Sequence, residues 1–455
     1  MSSFSLHDRL QRLRKHAPEA PGEPAGEKAP SLERLEKEML GAEAAPAEGE
    51  ILSLKARLER LVAVAAVKER ERRRAPPPVP LEELVDGLRV ENDRGEFFRV
   101  DSSVHLEVRH GDVPLSRVDT IDPFTVGVLT AEPQLERFDL REAVFLDTET
   151  TGLAGGTGTA AFLIGVGYVE GDRFRVRQYF MRDYHEEPAL LHALAGELAR
   201  FEHVVTFNGK LFDLPLLETR FRLARARYPL KGAPHLDLLH PARRLWKARL
   251  ESCRLQSLEA ALMGLHRNGD IPGEEIPQVY FDYVRQRDGR KLARVFDHNR
   301  QDIVSLAALA VHACTWVEER RAEDARDVYS LARVLERARL FDRSEAEYER
   351  AVTLDAGPLR GQALLRRAWR AKRRGEHERA LALWDEAGRA GEVEAWRELA
   401  MHHEHRARDY DRALEAVARG LALLDGTRQR EVRAWHLADG FERRRERLLR
   451  KKRRG

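Results

Sequence analysis

The stretch Ala143-Val-Phe-Leu-Asp-Thr-Glu149 decides how this chain is read. Four apolar residues in succession, one β-branched and one aromatic, predict a short strand buried on both faces. Polarity then begins abruptly, and strand alternation sets Asp147 and Glu149 on the same face. Two carboxylates held that close repel each other unless a proton or a cation lies between them. A hard divalent ion with oxygen ligands is the natural occupant. An isolated Asp-x-Glu in a charge-rich chain reads equally as a solvated pair, so its surroundings must decide.

Moving outward, residues 162–168 and 174–180 give two more strand-like runs separated by a glycine-bearing turn. A helical pattern follows over 188–201, opened by Pro188 with Glu186 and Glu187 ahead of it. A strand at 203–207, a helix at 211–227, a strand at 235–239, a helix at 255–263 stopped by Gly264 and a long helix over 289–312 complete the series. Three strands, then alternating helices and strands, predict an α/β domain over residues 136–318, a mixed sheet flanked by helices. Asp213 ends Phe207-Asn-Gly-Lys-Leu-Phe-Asp213 after a strand and opens a helix, where a capping role is the plainer alternative. His298 and Asp302, in His298-Asn-Arg-Gln-Asp302, stand one turn apart on one helix face. An imidazole, with its ordinary pKa of ~6.5, sets a proton acceptor beside a potential ligand. A surface His–Asp pair is the plainer alternative there.

The combination is far more specific than its parts. Phe145-Leu-Asp-Thr-Glu-Thr-Thr-Gly-Leu153, Gly155-Gly-Thr-Gly158, Phe162-Leu-Ile-Gly165, Phe207-Asn-Gly209 and His298-Asn-Arg-Gln-Asp-Ile303 resemble the DEDD exonuclease superfamily of the ribonuclease H-like fold, and more closely its YprB-like branch of predicted nucleases. The resemblance spans residues 84–315. It implies a metal-dependent nuclease, a 3′–5′ exonuclease acting on single-stranded DNA or RNA with two divalent ions, Mg²⁺ or Mn²⁺. Asp147, Glu149 and Asp302 would hold the ion that activates water. Asp147 would also reach a second ion, helped by Asp213, with the pair ~3.5–4 Å apart clamping the attacking and leaving oxygens. His298 would orient or deprotonate the water. In the superfamily a His base stands five positions before the last Asp and a Tyr four before it; His298 takes the Tyr spacing. Thr148, Asn208 and Lys210 are the expected substrate contacts, although Lys210 alone reads as an exposed helix-start lysine. Asp237 reads either as an auxiliary acid or as a structural strand-end residue.

The chain has 455 residues, 42% hydrophobic and 34% charged, enough for ~3 domains. No run approaches the ~18 uncharged apolar residues of a membrane span, and the N-terminal residues lack a secretory apolar core. Two cysteines make no disulfide framework. A cytoplasmic setting without membrane contact is therefore expected. Residues 1–80 read as a mostly disordered tail, rich in Ala, Pro, Glu and Gly over 17–48, with an amphipathic helix near 51–67. Residues 81–135 read as a small separate β region.

Beyond the α/β domain, residues 325–425 lack strand runs and repeat themselves. Leu340-Phe-Asp-Arg-Ser-Glu-Ala346, Gly375-Glu-His-Glu-Arg-Ala380 and Tyr410-Asp-Arg-Ala413 align at spacings of 34 and 33, each preceded by a helix, around Ala332, Ala368 and Ala400. That period predicts an all-α tetratricopeptide-like domain, with Trp369, Trp384 and Trp396 as packing residues. Residues 426–455 read as a helical, basic tail. His402-His403-Glu404-His405 are consecutive and so point different ways on a helix, which makes a poor metal site. Residues 321–455 carry 33 Lys and Arg against 25 Asp and Glu, a net +8, whereas the remaining 320 residues sum to −5. That imbalance suits a nucleic-acid partner, and equally a solvated helical surface. A second functional class stays open: a nucleic-acid-binding scaffold whose repeats hold a protein partner, with little turnover.

Overall fold

The computed structural model describes residues 77–152, 157–425 and 432–453. Residues 1–76 of the expected tail, with its amphipathic helix at 51–67, and residues 153–156 lie outside the described residues.

Seven strands form one sheet: β1 (Leu88–Asn92), β2 (Gly95–His105), β3 (Ala143–Thr150), β4 (Ala161–Glu170), β5 (Arg173–Phe180), β6 (His203–Thr206) and β7 (His235–Asp237), in the order β1-β2-β5-β4-β3-β6-β7. The first three strands of the core, β3, β4 and β5, pair antiparallel; β6 and β7 then add parallel beside β3. The apolar start of β3 is explained by its central place. Ala143 and Phe145 point into one core and Val144 and Leu146 into the other. A β-bulge interrupts the pairing at Glu149 and Thr150, where the strand runs out toward the functional cleft.

Residues 81–135 differ from expectation. They form no β region of their own. β1 and β2 extend the main sheet, with Val100 of β2 opposite Gln178 of β5. The remainder is a minimal ladder of Arg109–His110 against Val113–Pro114, short helical turns, and helix α1 (Pro123–Thr130), capped by the Asp122 carboxylate accepting the Phe124 N–H at 3.0 Å.

The helices around the sheet are α2 (Glu187–Leu198), α3 (Asp213–Leu223), α4 (Leu239–Trp246), α5 (Leu255–Met263), α6 (Ile276–Gln286) and the 30-residue α7 (Arg290–Glu319). α5 ends at Gly264, which takes a left-handed φ of +63°. α7 lies across the sheet, and two glycines of β4 permit its close approach. A Cβ on Gly165 would stand 2.4 Å from Asn299 Oδ1 and 2.9 Å from Ile303 Cγ1; one on Gly167 would stand 2.4 Å from Ile303 Cγ2.

A helical region follows: α8 (Ala325–Arg337), α9 (Phe341–Thr353), α10 (Pro358–Arg373), α11 (His377–Arg389), α12 (Val393–His402), α13 (Tyr410–Leu424) and α14 (Val432–Lys452). Successive helices pack on one another. Ala332, Ala368 and Ala400 are fully buried at their crossings. The small residue facing them is Ser344, Ala380 or Ala413, the fourth residue of its helix in each case. This shifts the sequence alignment of the first unit, because Ser344 and not Ala346 holds that place. Ser344 is buried and donates its hydroxyl to the Ala332 carbonyl at 2.9 Å. Trp384 and Trp396 are buried, and Trp369 is partly so.

His402 ends α12, and residues His403–Ala407 make a single π-helical turn. Its buried Glu404 accepts from Arg444 (2.5 Å), Arg447 (2.7 Å) and Lys451 (2.9 Å) of α14. Three cations of the basic C-terminal segment are thus tied to one acid. Among the described residues no helix is long and apolar enough to cross a membrane.

The seating of α7 generates a paired expectation. Gly165→Ala must displace Asn299 or Ile303 and should cost about 1–3 kcal/mol. Gly196→Ala, inside α2 with nothing within 4 Å of the new methyl, should be neutral or stabilising by up to about 1 kcal/mol. Thermal unfolding of the two variants checks this; equal midpoints would refute the packing argument.

Candidate functional site

Asp147 and Glu149 project from the end of β3, and α7 brings His298 and Asp302 to them. Asp147, Gly165 and Gln178 stand side by side on β3, β4 and β5. Over this row lies the fully buried Asn299. Gln178 Nε2 donates to Asn299 Oδ1 at 2.9 Å and to the Phe296 carbonyl at 2.9 Å. That orients the amide so that Asn299 Nδ2 donates to Asp147 Oδ2 at 2.9 Å. One carboxylate oxygen of Asp147 is therefore held by a relay that starts two strands away.

His298, next to Asn299, and Asp302, one turn further along α7, close the arrangement. His298 Nε2 lies 3.5 Å from Asp302 Oδ2 and 3.9 Å from Glu149 Oε1. Its other nitrogen, Nδ1, lies 2.8 Å from Asp270 Oδ1. With Nδ1–H donated to Asp270, the lone pair of Nε2 faces the carboxylates. Arg267, almost wholly buried, pairs with Asp302 and Glu259 and lies 3.2 Å from Asp270.

Asp213 is the first residue of α3, one place past the cap, and no side chain caps that helix. It turns instead to β3, where Thr148 Oγ1 donates to its Oδ1 at 2.5 Å. Thr148 alternates to the opposite side of the strand from Asp147 and Glu149, so it meets α3 while they meet α7.

The electrostatics bind the four carboxylates into one group. Asp147 is raised well above the carboxylate range by burial, then by Asp302, Glu149 and Asp213. Glu149 is raised likewise, by burial first and then by Asp302, Asp213 and Asp270. Burial pushes Asp213 up to about 6, against the pull of the Thr148 hydroxyl. Asp302 is also raised by burial, with Arg267 and His298 drawing it back. Four hard oxygen donors that repel one another suit divalent cations of the Mg²⁺ or Mn²⁺ type. Among the described residues no group of three or more His, Cys, Asp or Glu side chains is already arranged to hold a metal ion. Three of the acids are instead engaged by a protein donor or a neighbouring cation: Asn299 at Asp147, Thr148 at Asp213 and Arg267 at Asp302.

A cleft of about 640 Å³ opens beside this group, lined by Asp147, Thr148, Asn208, Asp213 and an apolar wall including Phe207, Leu211 and Phe212. Leu211 and Phe212 are 70% and 55% exposed, unusual for apolar residues beside charges. Asn208 has a left-handed φ of +67°. Its N–H and those of Lys210 and Leu239 donate to Asp237 at 2.7, 3.0 and 3.2 Å. Both oxygens of Asp237 are thus spent on shaping the turn, which makes it the structural residue of its two readings. Lys210 Nζ lies 3.6 Å from Glu132 Oε1, paired with a side chain outside the acidic group.

Sequence reasoning did not single out Asn299, Gln178, Asp270, Arg267 or Glu259. Asn299 lies inside a quoted motif, and its place between His298 and Asp302 was the available signal. The others come from segments with no local signature.

Residues 144–314 match the RNase_H superfamily. The chain is also 29% identical over 340 residues to the protein named "Uncharacterized protein YprB" of Bacillus subtilis (strain 168), an alignment covering 73% of this chain and 82% of that protein. With the strand order described above, the α/β part has a ribonuclease H-like fold, followed by a C-terminal helical region.

Proposed function

We propose that the protein is a metal-dependent nuclease, a 3′–5′ exonuclease hydrolysing phosphodiester bonds of single-stranded DNA or RNA. The observation that carries this reading is the gathering of four carboxylates from β3, α3 and α7: His298 Nε2 lies within 4.0 Å of both Glu149 and Asp302, Thr148 ties Asp213 to β3, and Asp147 and Asp213 line one cleft. Asp147, Glu149 and Asp302 would hold one divalent ion, and Asp147 with Asp213 a second. Such ions, when bound, supply positive charge that acidifies a water and offsets charge on the leaving oxygen.

The chain's own groups do the rest. His298 Nε2, aimed by Asp270, accepts the proton of the attacking water. Asn299 holds one oxygen of Asp147, leaving the other toward the cleft. The exposed Leu211 and Phe212 offer an apolar wall to an unpaired base, which a stacked duplex cannot present. Asn208 and Thr148 line the same cleft. A scaffold role for the helical region remains a second reading. It is favoured by an open groove of about 480 Å³ lined by Tyr329, Trp369 and Val393 among others, and it is compatible with the first.

Purified protein with Mg²⁺ or Mn²⁺ should shorten a 5′-labelled single-stranded oligonucleotide stepwise, and Asp147→Asn should lower the rate at least ~10³-fold. Equal rates for the two proteins would sink the proposal, and internal cuts would replace exonuclease by endonuclease. Asp270→Asn should lower kcat by about 10–100-fold with little change in KM, because it loosens the orientation of His298 without removing it; steady-state kinetics check this.

Stability should run opposite to activity. Without metal, Asp147→Asn removes a repelled charge and should raise the melting midpoint by about 2–4 °C, the shift that ~1 kcal/mol produces. Mg²⁺ should then raise the midpoint of the native chain more than that of the variant. The pH dependence has a definite sign. Asp213 titrates at about 6 in the folded chain against 3.8 in its ordinary state, so the folded chain binds more protons in that interval. The stabilisation this carboxyl contributes to the metal-free chain should therefore be fullest below about pH 4, fall as pH rises through 6, and level off as the group becomes fully charged. Asp213→Asn should flatten that part of the curve in denaturant titrations.

A further inference from the structure

Three arginines gather at the junction of the sheet domain and the helical region without an acid to neutralise them. Arg244 comes from α4; Arg333 and Arg337 stand one turn apart on α8, on the same face as Tyr329 and Ser330. Together with Val334 these residues line a pocket of about 200 Å³. α4 and α8 pack on each other and on α1. Arg244 donates to the Thr130 carbonyl, and Arg333 to the Tyr329 hydroxyl at 3.2 Å. Among the described residues none of the three guanidinium groups has a carboxylate within 4.0 Å.

The two nearest acids are engaged elsewhere. Glu132 lies 3.6 Å from Lys210 and accepts from Gln134 at 2.9 Å. Glu336 accepts from Tyr348 at 2.7 Å and lies 3.8 Å from Arg366. In a chain where most arginines are ion-paired, three left facing one pocket are electrostatically costly. Like charges one helical turn apart disfavour each other, and Arg244 is held below the usual guanidinium range by burial and then by Arg337.

The location is as telling as the charge. Lys210, next in sequence to Leu211 of the cleft wall, pairs with Glu132, while Arg244 grips the carbonyl of Thr130. Residues 130–132 thus have the acidic cleft's wall on one side and the arginine pocket on the other. Guanidinium groups are the side chains best matched to phosphate oxygens.

We infer that Arg244, Arg333 and Arg337 form a phosphate-binding site for the backbone of a single nucleic-acid strand whose 3′ end occupies the acidic cleft. This extends the nuclease reading by naming where the strand continues. It also gives the positive excess of the helical region a specific place, a rim that holds the strand beyond the reacting nucleotide.

Binding is the test, so that hydrolysis need not occur. Full-length Asp147→Asn protein serves as the background. Fluorescence anisotropy is read with single-stranded oligonucleotides of about 4 and about 16 nucleotides, the span of ordinary single-strand sites. Adding Arg333→Gln and Arg337→Gln should weaken binding of the longer strand at least 10-fold and leave the shorter one within 2-fold. The plot of log Kd against log salt should become about 1.4 shallower, the change expected when two phosphate contacts are lost from a single strand. Arg337→Glu alone, at an exposed position that tolerates change, should give the larger part of the loss.

Equal weakening of both lengths, or none for the longer strand, would overturn the inference. So would full competition by millimolar inorganic phosphate without any length dependence, which would make this a site for a free anion. Length-dependent binding by a chain whose native form hydrolyses nothing would instead leave this inference standing and remove the nuclease reading.

Discussion

How closely α7 can approach the sheet sets the distance from His298 and Asp302 to the carboxylates of β3. That approach is limited by side-chain bulk on β4, and Gly165 and Gly167 remove it. The buried amide of Asn299 then fills the space above Gly165, where it must find partners for both its oxygen and its nitrogen. Gln178 supplies one and Asp147 accepts the other. A packing requirement and a polar requirement are met by the same contact. The position of His298 and Asp302 against the carboxylates of β3 consequently follows from how a 30-residue helix is seated.

Two kinds of charge crowding run through the molecule. Asp302, Glu149 and Asp213 add to burial in raising the proton affinity of Asp147, and Arg337 adds to burial in lowering that of Arg244. Neither cluster is what a fold would adopt for stability alone. Elsewhere crowding is resolved: Glu404 takes three cations from α14, and Glu186 and Glu197 take theirs from Arg182, Arg177 and Arg200.

The central strands, the α3 and α7 positions of the acids and the helical C-terminal region were legible because each has a local signature: an apolar run, an i, i+4 spacing, a recurring small residue. What escaped has no such mark. β2 pairs with β5 across some seventy residues, so EFFRVDS reads as a strand without revealing its neighbour. Asp270 and Arg267 reach the site from a loop between α5 and α6 whose local sequence, Arg267-Asn-Gly-Asp270, looks like an ordinary turn. The repeat register slipped because Ser344 does an alanine's packing while bonding the Ala332 carbonyl, and composition favoured the alanine two places on.

The apolar core beneath the sheet does not stop where the last strand-bearing segment ends. One continuous cluster runs from Phe145 and Trp246 through Cys314 and Trp316 to Leu331, Tyr348 and Ala363, whereas the later helices share a core of their own. The sheet and the opening helical hairpin are thus one cooperative body, with the remaining hairpins stacked on it as an outrigger. Lengthening or shortening that outrigger would leave the α/β half folded, while cutting between α7 and α8 would strip it of a wall. Variation in length among such proteins is expected at the far end of the array, where a hairpin can be gained or lost without disturbing the chemistry.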